Sequence, residues 1–227
     1  MASINVNVSG SWRPILGAYV NVGGTWHLLQ STWVNKAGTW QKVYASFAAT
    51  IRIYTSGSGT ETIPNGASNC TVEVWGGGAS GSGGIGTGCG KDAGSDGGCG
   101  GYARSALSVS AQNGHAFSYS VGAGGAPSKL PGAASSVSAG TVTGFTTMTA
   151  SGGGAPTGGG SGFPGPGGTA SGGNQANITG ANGGGTGTTG TVPGDGSPYG
   201  SGGTAGGFGA GHPGGAGKNG AVVFYYT

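Results

Sequence analysis

Charge is what this chain has least of. Asp, Glu, Lys and Arg together make up 6% of its 227 residues, against roughly a quarter in an ordinary globular protein. A chain so poor in charge is not a solvated tail held apart by its own repulsion. Acid is scarcest of all, confined to Glu61, Glu73, Asp92, Asp96 and Asp195. The only histidines are His27, His115 and His212. Hydrolysis needs two positioned carboxylates or a nucleophile with its base and orienter. No segment supplies such a set, and Glu61 and Glu73 are expected at solvent-facing strand positions. The chain therefore reads as a non-enzyme. Asp92 and Asp96 share a glycine loop that lacks the oxygen count of a dedicated calcium site, so neither metal nor cofactor is expected.

Other absences narrow the class further. The eight basic residues are scattered and never adjacent, giving a net charge of +3, whereas nucleic-acid binding needs a dense basic stripe or aromatics among arginines. No apolar run approaches the roughly 18 residues of a membrane span. Met1-Ala2-Ser3 leads into a polar, strand-like stretch without a basic n-region, so synthesis in a cytoplasm is expected. The three cysteines, Cys70, Cys89 and Cys99, form no Cys-x-x-Cys pair. A Cys89–Cys99 disulfide would close a glycine loop; reduced thiols are the simpler expectation. Helical apolar periodicity is missing throughout, which leaves an all-β chain.

Glycine and a short repeat are what the chain has instead. Trp12, Trp26 and Trp40 stand fourteen residues apart, and the same spacing aligns Val6/Val20/Val34, Asn7/Asn21/Asn35 and Gly10/Gly24/Gly38. Fixed-period self-similarity dictates architecture. Each unit alternates apolar and polar residues about a glycine turn, the pattern of a β-hairpin. Residues 1–47 thus read as three tandem hairpins, with the tryptophans packing against aromatics of the next arm and sugar stacking as the alternative role. An array this small needs a partner chain or the following domain, which points to docking or oligomerisation.

Residues 48–227 form the second part. Strands are expected at 50–54, 70–75, 102–110, 116–121, 145–150 and 221–226, where β-branched and aromatic residues gather between turn residues. Between them run glycine tracts at about 76–101, 122–132 and 152–220. Loops of that length inside a compact domain are unusual. Polyglycine II-type helices, with three residues per turn and free backbone groups, offer an ordered alternative. Composition carries this expectation, because glycine spacings of three arise by chance at such density. The fold class is therefore all-β: hairpin repeats, then a β-sandwich-like domain with polyglycine II-type helices.

The order of segments resembles a known family. Thr71-Val72-Glu73-Val74-Trp75 followed by three glycines, Tyr102-Ala103-Arg104 after two glycines, Tyr119-Ser120-Val121-Gly122-Ala123, Thr149-Ala150-Ser151 before three glycines, and the closing Lys218-Asn219-Gly220-Ala221-Val222-Val223-Phe224 together resemble the glycine-rich domain of tailed-bacteriophage tail-fibre and receptor-binding proteins. The Trp/Gly repeats are similar to short repeats of phage tail proteins. The resemblance implies a virion location in the tail and a host-surface adhesin as the function. Its implied partners are other virion tail proteins, a bacterial surface glycan or outer-membrane protein, and a homo-oligomer, with a trimer favoured. A purely structural fibre component is the nearest rival, and an ice-binding or extracellular polyglycine II module the next.

Recognition is expected on loops presented by a rigid scaffold. The last tract has few large or ring-bearing residues: Phe163, Tyr199, Phe208 and His212. Three of them adjoin prolines, where extended helices turn. The expectation is that these four sit at the ends of the glycine bundle and contact the receptor.

Overall fold

A computed structural model describes residues 5–8, 11–14, 19–28, 31–36, 38–45, 47–84, 94–158, 163–183, 199–203 and 213–227. Among them are strands, turns and extended chain, and no helix.

The described N-terminal residues form three two-stranded ribbons. Strand β1 (Asn5–Val8) pairs with β2 (Ser11–Pro14), β3 (Tyr19–Val22) with β4 (Thr25–Leu28), and β5 (Ser31–Lys36) with β6 (Thr39–Ala45). Register follows the sequence period: Asn7 lies opposite Trp12, Asn21 opposite Trp26, and Asn35 opposite Trp40. The turns repeat as well. Asn21 Oδ1 accepts the Gly24 N–H at 3.0 Å and Asn35 Oδ1 the Gly38 N–H at 2.9 Å. Gly23 and Gly24 both take positive φ, as a two-residue type I′ turn demands. One expectation changes here: Trp26 and Trp40, expected to pack against aromatics, are 68% and 65% exposed. A two-stranded ribbon has no second layer in which to bury them.

The larger part is built on two five-stranded antiparallel sheets. Its strands are β7 (Thr50–Tyr54), β8 (Ser58–Thr62), β9 (Asn69–Trp75), β10 (Tyr102–Ser108), β11 (Ala116–Ser120), β12 (Ser135–Ser138), β13 (Met148–Ala150), β14 (Ala170–Ser171), β15 (Ala176–Ile178) and β16 (Ala221–Tyr226). One sheet runs β15-β10-β9-β16-β7 and the other β14-β13-β12-β11-β8. Alternation along β9 and β16 sends Val72, Val74, Phe224 and Tyr226 to the face that meets Phe117, Val137, Met148 and Ala150 of the second sheet. All of these are buried. Phe117 is the hub, with ring centroids 5.3 Å from Phe224 and 5.0 Å from Phe145. Phe47, where a fourth repeat would begin, packs against this core instead.

A small polar group sits within the core. The Tyr54 hydroxyl donates to Glu61 Oε2 at 2.5 Å, and its ring stacks on Tyr119 at 4.1 Å. Burial, then the bond to Glu61, pushes the Tyr54 pKa up to about 12. Burial likewise raises the Cys70 thiol to about 12 and pushes the Tyr226 hydroxyl up. Tyr226 turns toward Cys70 and Glu61 without completing a hydrogen bond of ordinary geometry to either. Glu61 and Glu73, expected at solvent-facing positions, are both buried. Each is held by a tyrosine hydroxyl, Tyr54 for Glu61 and Tyr102 for Glu73. Such a bond offsets the desolvation of the carboxylate.

Glycine-rich chain continues directly from the strand ends. β9 runs out into 76–84 and 94–101 runs back into β10; β11 leads into 121–125 and 130–134 returns to β12; β13 leads into 151–158 and 163–169 returns to β14. These segments bond to one another mainly through backbone groups, with a few serine and asparagine side chains added, and the backbone bonds recur every third residue. Gly76, Ala79 and Ser82 donate to Gly101, Gly98 and Ser95; Gly77 and Ser80 donate to Ala133 and Leu130; Gly78 and Gly81 donate to Lys218 and Gly215. The same segment accepts at Gly77, Gly78 and Ala79 from Gly153, Gly125 and Gly203. One strand of chain thus has six neighbours, three on its N–H groups and three on its carbonyls. Residues 76–82 and 94–101 are buried although almost no side chain covers them. Packing this close excludes Cβ: one on Gly78 would stand 1.9 Å from the Ser201 carbonyl oxygen, and one on Gly98 1.9 Å from that of Pro166.

Candidate functional site at the far end of the glycine bundle

The bundle has two ends of different character. At the sandwich end, Trp75 meets Tyr102 at 4.9 Å and Tyr199 at 5.6 Å between ring centroids, with Ala221 and Val223 beneath. Seven residues further out, about 20 Å of extended chain, Ser82 and Ser95 tie the two central segments together. The Ser82 N–H donates to the Ser95 carbonyl at 2.8 Å, and the Ser95 N–H to Ser82 Oγ at 2.6 Å. Both serines are buried. Ser95 Oγ in turn accepts the Phe163 N–H at 3.3 Å.

Phe163 is therefore fixed by its backbone while its ring stays 55% exposed. The ring leans on Gly158, where a Cβ would meet it at 2.5 Å. Leu130, a second exposed apolar side chain, belongs to the same end of the bundle. Its carbonyl accepts the Ser80 N–H at 2.9 Å, and its own N–H donates to Ser80 Oγ at 2.8 Å. It follows a tight turn at 126–129 in which Ser128 and Lys129 adopt φ of 103° and 60°. Two successive non-glycine residues in that region are uncommon and strained. Lys129 brings an exposed positive charge to this turn.

The four residues expected to gather at the ends fare differently. Phe163 is exposed at the outer end. Tyr199 is at the opposite end, packed on Trp75 as part of the sandwich junction. The structure does not bring those two together, because the chain around Tyr199 enters the bundle where it meets the strands: Gly200 bonds Asn219 and Gly100 bonds Gly200. Phe208 and His212 lie outside the described residues, as does Cys89. Cys99 is buried between segments, its thiol pKa raised by burial and partly offset by a hydrogen bond from the backbone at Gly202. Leu130 and the 126–129 turn were missed from sequence; Pro127 and Pro131 beside them carry the same proline signal that marked Phe163.

This end offers exposed apolar anchors and strained turn backbone on a rigid base, the arrangement of a recognition surface. Among the described residues no group of three or more His, Cys, Asp or Glu side chains is placed to hold a metal ion. Comparison with protein-family models and with curated proteins returns no match for this chain.

Proposed function

We propose that this chain is a tail-fibre or tail-tip protein of a tailed bacteriophage and acts as a host-surface adhesin. The observation that carries the reading is the period-three backbone bonding of residues 76–82 to six neighbouring segments. A helix of three residues per turn without internal hydrogen bonds turns successive N–H groups toward three different neighbours. We infer from this that the bundle is polyglycine II. Such a scaffold draws few side chains into its own cohesion and leaves the connecting loops at its outer end to vary. Phe163 and Leu130 stand there as neutral, apolar anchors suited to a glycan or a protein loop.

The N-terminal hairpins dock the chain to other tail proteins or to further copies of itself, a trimer being the favoured assembly. Exposed Trp26 and Trp40 on ribbons too thin to bury them support this role. The protein is made in the host cytoplasm and resides in the virion tail, without catalysis and without membrane insertion. A purely structural fibre component is the alternative.

Labelled full-length protein applied to a panel of bacterial strains and their extracted surface polysaccharides separates the two. An adhesin binds a subset of strains, and Phe163→Ala and Leu130→Ala weaken that binding while leaving the melting temperature nearly unchanged. Absence of binding to every strain from which a phage carrying this protein plates contradicts the adhesin reading and favours the structural one. Deleting the residues before Ala48 should abolish incorporation into particles while the remainder stays soluble. Normal incorporation of the truncated protein refutes docking by the hairpins.

A further inference from the structure

The outward face of the first sheet carries a second constellation, away from the bundle end. Four residues on three adjacent strands line a shallow hollow of about 300 Å³: Thr71 and Glu73 on β9, Arg104 on β10 and Tyr225 on β16. Pairing register puts them there, since Arg104 lies opposite Glu73 and Tyr225 opposite Thr71. Next to Tyr225 and Val223 on the edge strand, Ile51 and Ile53 are exposed.

Glu73 is 4% exposed on a face over which no sheet packs among the described residues. Its Oε1 accepts the Tyr102 hydroxyl at 2.7 Å and faces Arg104 Nε at 3.7 Å. That separation is too long for a hydrogen bond, and among the described residues the buried Arg104 Nε meets no other acceptor. The contact is an ion pair without a hydrogen bond, and it leaves the guanidinium's other donors to solvent. The rest of the Arg104 side chain reaches solvent. The hollow therefore presents the solvent-facing end of the Arg104 guanidinium, a carboxylate with acceptor capacity to spare, a hydroxyl and an aromatic side chain.

We propose that this hollow binds a neutral sugar ring. Arg104 and Glu73 cancel in charge, so neither an anion nor a cation is favoured over an uncharged ligand. A guanidinium beside a carboxylate offers donors and an acceptor side by side, which suits adjacent sugar hydroxyls, each of which both donates and accepts. Tyr225, with Ile51 beside it, supplies apolar surface for the C–H face of the ring. The volume suits one ring and not an extended chain, so the site reads a terminal or side-branch residue of a glycan. This proposal stands apart from recognition at the bundle end and does not depend on it.

The test is a titration of the isotope-labelled full chain with methyl glycosides of neutral hexoses, following amide shifts by NMR, alongside charged arms of methyl glucuronide and glucosamine. Saturable shifts at Thr71, Glu73, Arg104 and Tyr225 are expected with at least one neutral glycoside. Arg104→Lys, which keeps the charge but removes the planar fork of guanidinium donors, should bind about tenfold more weakly, the loss of one charge-assisted hydrogen bond, with the melting temperature unchanged. Thr71→Val preserves shape and should weaken binding through loss of the hydroxyl. Phe163→Ala should leave all these shifts as they are. Absence of saturable shifts with every neutral glycoside, preference for a charged one, or full-strength binding by both Arg104→Lys and Thr71→Val would each overturn the proposal.

Discussion

The sandwich and the glycine bundle are joined strand by strand, yet they cohere by opposite means. In the sandwich, side chains fill the space between two sheets, and Phe117, Phe224 and Tyr226 carry the packing. In the bundle, side chains must be absent at the glycines where segments meet, and backbone groups on 76–82 and 94–101 bond across chain segments. Hydrophobic burial is non-directional and tolerates volume-conserving exchange. Backbone packing at this distance tolerates no added carbon. The contrast teaches that glycine, which destabilises a helix or strand by its entropy, becomes the structural residue wherever chains must approach more closely than a Cβ permits.

Substitution separates the two regimes, and the bundle should yield the larger effect. Gly78→Val or Gly98→Val puts a carbon within 1.9 Å of a neighbouring carbonyl oxygen. The cost should exceed the roughly 1–3 kcal/mol of ordinary overpacking and prevent native folding, read as loss of the cooperative melt. Gly144→Ala is the control, a positive-φ glycine with nothing within 4 Å, and should cost only about 1 kcal/mol. If Gly78→Val melts like the parent, close backbone packing is not what holds the bundle.

Phe224→Ala in the sandwich should cost about 3–5 kcal/mol by cavity formation and lower the denaturant midpoint without changing the bundle's chemistry. Phe224→Leu should recover most of that loss, whereas no aliphatic residue should rescue Gly78. That asymmetry is the sharpest expression of the two regimes.

Alkaline titration probes the sandwich alone. Tyr54 has its pKa raised from 10 to about 12 and Cys70 from 9 to about 12. Both are neutral in the folded state, so their contribution is fully present below the unfolded pKa values and fades as pH climbs. Stability should hold to about pH 9 and fall between 9 and 12. Tyr54→Phe should make that fall shallower. A stability curve flat to pH 12 would show that the polar group in the core is not coupled to folding.

The smallest effects distinguish the two ends of the bundle. Tyr199→Ala removes a ring packed on Trp75 and should cost about 1 kcal/mol. Phe163→Ala removes an exposed ring and should leave stability within about 0.5 kcal/mol. Equal melting shifts for the two would place Tyr199 and Phe163 in equivalent surroundings, against the structure.

What was legible follows the same division. β9 and β16 announce themselves through Val72, Val74, Val222, Val223 and Phe224, because burial between layers demands β-branched and aromatic residues. β8, β12, β14 and β15 do not. Their Ser, Thr, Gly, Ala and Asn residues lack alternation, and their pairing is dictated by neighbours far along the chain. Glu61 and Glu73 looked solvent-facing because the tyrosines that satisfy them, Tyr54 and Tyr102, arrive from other strands. The tryptophan period showed hairpins plainly, but burial of Trp26 and Trp40 depends on a second layer that a ribbon does not contain. At the candidate site, Phe163 was marked by its proline. Tyr199 carried the same mark, and its placement at the sandwich end follows from the bonds of Gly200, which local sequence does not encode.

Amide hydrogen exchange of the full chain, resolved by residue, tests the account's central claim most directly. Backbone bonds between glycine segments should protect Gly76–Ser82 and Gly97–Gly101 to within about tenfold of the β9 and β16 amides, because bundle and sandwich open together. Exchange across those glycines at the rate of unstructured chain, with β9 and β16 still protected, would contradict it.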